Sequence, residues 1–122
     1  MTTPVATYRK ASQRLLAQAY AALEIGDLQQ ASEKAWGAAD QIVKAAAQDR
    51  GWDHHSHRGL FVAVNDLSEE TGDPEMHGLF ASPNLLHQNF YENGAGADVV
   101  ADHLERTEQF IVKVEAVLNT AG

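Results

Sequence analysis

The chain has 122 residues, a formal net charge of −8 at neutral pH and no cysteine. Its length suits one domain, residues 1–122, because a chain of this size buries roughly two thirds of its unfolded surface and two halves would each lack a sufficient core. The missing cysteines exclude disulfides, thiol catalysis and thiolate metal sites. The acidic balance argues against broad nucleic-acid affinity, which comes mainly from Lys and Arg neutralising phosphates.

The first 16 residues, "MTTPVATYRKASQRLL", contain no apolar core of a signal peptide, and nowhere do about 18 apolar residues run together. A cytoplasmic protein with no membrane association is expected. From about residue 5 to 24, Tyr8, Ala11, Leu15, Ala19, Ala22 and Leu23 recur at three- and four-residue steps and mark one face of a helix. "EIGDLQQ" then offers Gly26 as a left-handed helix end, Asp27 as the next N-cap and Gln30 in the capping-box position. So short a connection predicts an antiparallel helical hairpin.

The second helix, about 28 to 49, repeats the stripe with Leu28, Ala31, Ala35, Ala39, Ile42 and Ala46. Alanine at the contact positions lets neighbouring axes approach closely. Trp36 and Val43 lie on an adjacent line, available to a third helix or a second subunit. A third helix, about 56 to 71, carries Leu60, Phe61, Val64 and Leu67 and stops at Gly72. Asp73 and Pro74 supply an N-cap and a first helical residue, opening a fourth helix with Met76, Leu79 and Phe80 inside.

Ser82 and Pro83 repeat that signal, so the fourth helix either breaks and restarts with Ser82 as cap or continues with a kink. Leu86 and Phe90 resume the apolar line until Gly94. Asp98 caps a last helix whose apolar positions are Val100, Leu104, Ile111, Val114 and Leu118. No alternating β-branched run occurs. The expected fold is all-α, an up-and-down antiparallel bundle of about five helices.

The stretch with the densest chemistry is "DRGWDHHSHRGL", residues 49–60, which joins the second helix to the third. Helix-end physics accounts for part of it. Arg50 sits in a last turn, Gly51 can turn left-handed, Trp52 can fold back on Ala47 in a Schellman arrangement, and Ser56 can cap the next helix. Capping leaves His54, His55 and His57 unexplained. One reading makes His54 and His57, with Asp53 and His87, nitrogen and oxygen ligands of a metal such as zinc. The other makes them loop histidines, one of them packed on Trp52. Of the basic residues, Arg9, Lys10 and Arg14 lie on one side of the first helix, while Arg50 and Arg58 flank the histidines.

The longer string "LEIGDLQQASEKAWGAADQIVKAAAQDRGWDHHSHRGL" resembles the first half of HEPN domains, the higher-eukaryote and prokaryote nucleotide-binding helical family. The likeness rests on the turn at Gly26 and Asp27, the contacts at Ala31, Ala35 and Ala38, Lys44, and then His57 and Leu60. "LFASPNLLHQNFYENG" is similar to a later helix of a branch found as paralogous repeats in archaea, most recognisably at Leu86, His87, Asn89, Phe90, Tyr91 and Glu92. The resemblance covers about residues 20 to 95.

It implies a homodimeric interaction or nucleotide-binding module without turnover or cofactor of its own. Its partners would be RNA, a nucleotide or a small nucleotidyltransferase-type protein, as in toxin–antitoxin pairs. It also implies an alternative, metal-independent RNA cleavage by an Arg and a His four to six residues apart. Arg50 with His55 or His57 has that spacing, although in active relatives the pair lies on the later helices. In that alternative His57 is the general base and Arg50 or Arg58 the phosphate clamp. Arg58, His87, Asn89 and Tyr91 are the candidate ligand contacts, His87 and Tyr91 being one turn apart. His54, His57 and His87 are the candidate metal ligands of a third reading.

Overall fold

The computed structural model describes residues 3–120. These form six helices and no strand: α1 (Pro4–Glu24), α2 (Leu28–Arg50), α3 (His57–Thr71), α4 (Pro74–Leu79), α5 (Ala81–Glu92) and α6 (Ala97–Thr120). Phe80 alone separates α4 from α5, so the two act as one broken arm of an all-α bundle.

The helix ends follow local chemistry. Asp27 accepts a hydrogen bond from the Gln30 amide, Ser56 from Gly59 and Asp73 from Glu75. Each satisfies a first-turn donor that has no partner within its helix. Gly51 takes φ +72°, and the Trp52 amide donates to the Ala47 carbonyl at 2.8 Å while that of Gly51 donates to Gln48. This is the expected Schellman end, and it fixes the direction in which the histidine loop leaves α2.

The fourth arm breaks rather than kinks, but not through the expected cap. Phe80 occupies the junction and makes no side-chain cap. Pro83 falls in the first turn of α5, where its missing N–H costs nothing. Ser82 lies inside the helix instead, buried, with Oγ 3.0 Å from His103 Nδ1 on α6. Likewise α5 ends with Asn93 in the left-handed region rather than at Gly94, and Asp98 sits within the first turn of α6 rather than before it.

α2 runs through the centre of the molecule and packs on α1, α3, α5 and α6. Its alanines at 31, 35, 38, 39, 45, 46 and 47 are fully buried, so backbones rather than long side chains set the spacing around it. One end of the core joins Ile42 and Val43 to Leu60, Leu67, Phe80 and Phe110. The other joins Ala31 and Ala35 to Leu86, Val100 and Leu104. Val43 is therefore buried within the chain. A buried bond from Ser12 Oγ to the Ala38 carbonyl, 2.7 Å, pins α1 to α2.

Candidate functional site

Three helices and the histidine loop meet at a cleft of about 190 Å³. α2 contributes Trp36, Asp40 and Lys44, one turn apart on a single line. The loop contributes His54, His55 and Ser56, α3 contributes His57 and Leu60, and α5 contributes His87. Histidines distant in sequence thus converge because α5 and the start of α3 both pack beside the Trp36 line of α2.

Trp36 organises the site. The His57 ring lies 5.3 Å from the indole and tilted 28°, and the His87 ring 4.6 Å away and tilted 26°. The two imidazoles are 6.1 Å apart, too close for opposite faces of the indole, so both lie on the same side of it. Tyr91 meets His87 edge-on at 5.5 Å and Phe61 flanks His57 at 5.1 Å, extending the aromatic surface along α5 and α3. Burial, then repulsion from His57, holds His87 below the ordinary histidine value, with Asp40 partly opposing both. Asp40 and Lys44 form an ion pair at 3.2 Å, leaving the cleft with little net charge when the imidazoles are neutral.

His54 is the buried member, 6% exposed. Its Nε2 lies 3.1 Å from Gln48 Oε1, and Tyr8 meets its ring edge-on. Its Nδ1 has no hydrogen-bond partner. It packs against Tyr8 and bonds Gln48 rather than stacking on Trp52. Among the described residues no three His, Asp or Glu side chains are placed to share a metal ion. The combination of His54, His57 and His87 therefore lines one cleft without forming a coordination shell.

The other sequence candidates separate. Arg50 does not line the cleft; its guanidinium makes two bonds to Glu70, at 2.8 and 2.5 Å, pairs with Asp49 and lies over the Trp52 ring. The Arg50 and His57 pairing expected from their spacing is thus replaced by an interhelical fastening. Arg58 faces a different hollow, of about 300 Å³, with Trp52, Asp53 and Asp66. Arg9 is tied to Glu115 and Asn119 on α6.

Asn89 is structural: buried, it donates to Ser32 Oγ at 2.9 Å and accepts from the Ala95 amide at 2.8 Å, fastening the α5–α6 turn to α2. Asp40, and Trp36 and Lys44 as its neighbours in the cleft, were not singled out as site residues by sequence. The available signal was their spacing, a tryptophan followed by two charges at successive four-residue steps.

A model of the archaeal PaREP1/PaREP8 family matches residues 7–111. No curated protein matches the chain. The matched segment contains every residue of the cleft.

Proposed function

The chain belongs to the archaeal PaREP1/PaREP8 family, and we propose that it works as a HEPN-like module that binds a nucleotide or a short single-stranded RNA segment, as a homodimer and without turnover of its own. The observation that carries this reading is the placement of His57 and His87 together on Trp36, with Tyr91 and Phe61 continuing the ring surface. Flat rings at a cleft give a base a face to stack on, worth about 1–3 kcal/mol per base. Only one lysine lines the cleft, and the molecule is strongly acidic, which suits one or a few nucleotides better than a long duplex. Tyr91, 72% exposed, gives an aromatic anchor for a second copy or for a nucleotidyltransferase-type partner in a two-component toxin–antitoxin pair.

The test is anisotropy of a labelled single-stranded RNA with the wild-type chain and with His57→Ala, in EDTA. Saturable binding that weakens about tenfold or more in the variant supports the reading. No binding, or equal binding by both, refutes it.

One observation favours a second reading, metal-independent RNA cleavage. His87, held toward its neutral form, stands 6.1 Å from a second imidazole. One neutral imidazole would take the proton of a ribose 2′-hydroxyl as that oxygen attacks phosphorus. The other, protonated, would give its proton to the departing 5′-oxygen, leaving a 2′,3′-cyclic phosphate and a 5′-hydroxyl. Lys44, rather than Arg50, would then face the charge developing on phosphate. Shortened RNA in the same EDTA reactions, abolished by His87→Ala, would move the assignment to this reading.

A further inference from the structure

We propose that the base this cleft prefers is guanine, recognised at its Watson–Crick edge by Asp40 and Lys44. This names the ligand class of the nucleotide-binding reading and rests on it for the stacking surface. Trp36, Asp40 and Lys44 follow one another at four-residue steps along α2, about 6 Å per step. A base lying against the His57 and His87 rings then has the two charged side chains at its edge. Asp40 is near enough to His87 to act on the charge of its imidazole, which sets the carboxylate beside the ring surface.

The carboxylate is fixed at one oxygen and open at the other. Oδ2 pairs with Lys44 Nζ at 3.2 Å and accepts a long bond, 3.4 Å, from the neighbouring Gln41 amide. Among the described residues Oδ1 has no hydrogen-bond partner, and it is not sealed from solvent as His54 Nδ1 is. The Asp40 side chain is 18% exposed and that of Lys44 27%, so both are reachable while the ion pair orients them. An ammonium group has three hydrogens to donate, and the bond to Asp40 uses one.

Taken in order, Lys44 Nζ, Asp40 Oδ2 and Asp40 Oδ1 present donor, acceptor, acceptor. Guanine offers the complement: O6 accepts, and N1–H and N2–H donate. Unstacked bases are recognised at this edge by just such side-chain groups. Adenine and cytosine pair with two of the three and leave Oδ1 empty. Uracil pairs with two and sets its O2 against Oδ1, a repulsion rather than a missing bond. Because both protein groups are charged, each matched contact discriminates more than a neutral one would.

The experiment is anisotropy of the full chain, in EDTA, with five labelled RNA strands. They are abasic except for one central base: guanine, inosine, adenine, cytosine or uracil. Guanine should bind about tenfold more tightly than adenine, cytosine or uracil, and inosine, which lacks the N2 amine, about fivefold more weakly than guanine. Asp40→Asn keeps the shape and turns one acceptor into a donor, giving donor, acceptor, donor, the complement of uracil. Guanine should lose about tenfold in that variant and uracil should bind at least as well. Either source of the base sustains the proposal. Competition by guanosine monophosphate but not adenosine monophosphate identifies a free nucleotide, and selectivity confined to the strands identifies an unpaired guanine in RNA. Equal binding of the five strands overturns the proposal and leaves the nucleotide-binding reading standing. So does a guanine preference that Asp40→Asn leaves as it was, or a loss in that variant equal for every base. Binding of none of the strands or nucleotides overturns both.

Discussion

His57 at the start of α3 and His87 in the middle of α5 lie 6.1 Å apart with nearly parallel rings, both on the same side of Trp36. Burial acts first, and the neighbouring imidazole second, to hold His87 below its ordinary value of 6.5. A base whose folded value is depressed takes up a proton more readily in the unfolded chain. The fold therefore keeps this contribution above about pH 6.5 and loses it as the pH falls through the unfolded and then the folded value. Replacing His57 with Ala removes the second cause only. NMR titration should show the His87 midpoint rising part of the way back in His57→Ala, and an unchanged midpoint would break the coupling argued here.

Arg50 is predicted to matter for stability and not for ligand. Its paired bonds to Glu70 tie the end of α2 to the last turns of α3, and its side chain covers Trp52. Partly exposed pairs of this kind contribute about 1 kcal/mol or less, with some addition from the twofold geometry and the ring contact. Denaturant unfolding of Arg50→Ala should show a loss of about 1 kcal/mol, and RNA binding should be unchanged. A tenfold loss of binding at unaltered stability would return Arg50 to the site.

Asn89 separates a structural role from a ligand role most sharply. Its amide nitrogen serves Ser32 and its oxygen serves the Ala95 amide, both inside the molecule. Asn89→Ala leaves the Ser32 hydroxyl and the Ala95 amide without that partner and opens a small void, at a cost of about 1–3 kcal/mol. Calorimetry should find a clear fall in Tm, and Asn89→Asp should lower it too, because the carboxylate keeps the acceptor for Ala95 but loses the bond to Ser32 and buries a charge. Wild-type Tm in the Ala variant would show that the bonds carry no weight.

These cases mark what the chain discloses before it is folded. Asp27, Gly51, Ser56 and Asp73 act within a few residues of themselves, so their capping roles are legible from neighbours alone. The alanine line of α2 is legible for the same reason: helical periodicity is local. The convergence of Trp36, His57 and His87 is not, because it depends on which faces of α3 and α5 settle against α2. Local pattern likewise misplaced Ser82, since a small polar residue near a helix end looks alike whether it caps its own helix or bonds another. Arg50 and His57 have a suggestive spacing, yet Gly51 turns the chain between them and Glu70 captures the guanidinium.

Gly51 provides the last prediction because the loop geometry depends on it. At φ +72° a side chain is strained, although nothing stands within 4 Å of where a Cβ would be. The cost of Gly51→Ala is therefore conformational rather than steric crowding by neighbours, about 1–2 kcal/mol. If the chain relieves that strain by abandoning the left-handed turn, the Trp52 and Ala47 bond is lost and His54, His55 and His57 leave their positions along α2. The expected result is a destabilised protein in which His57 no longer stacks beside His87 and RNA binding falls. Gly51→Asn, which tolerates the left-handed region better, should recover much of both. Equal stability of the Gly, Ala and Asn forms would show that the loop is held by its side-chain contacts and not by the turn at residue 51.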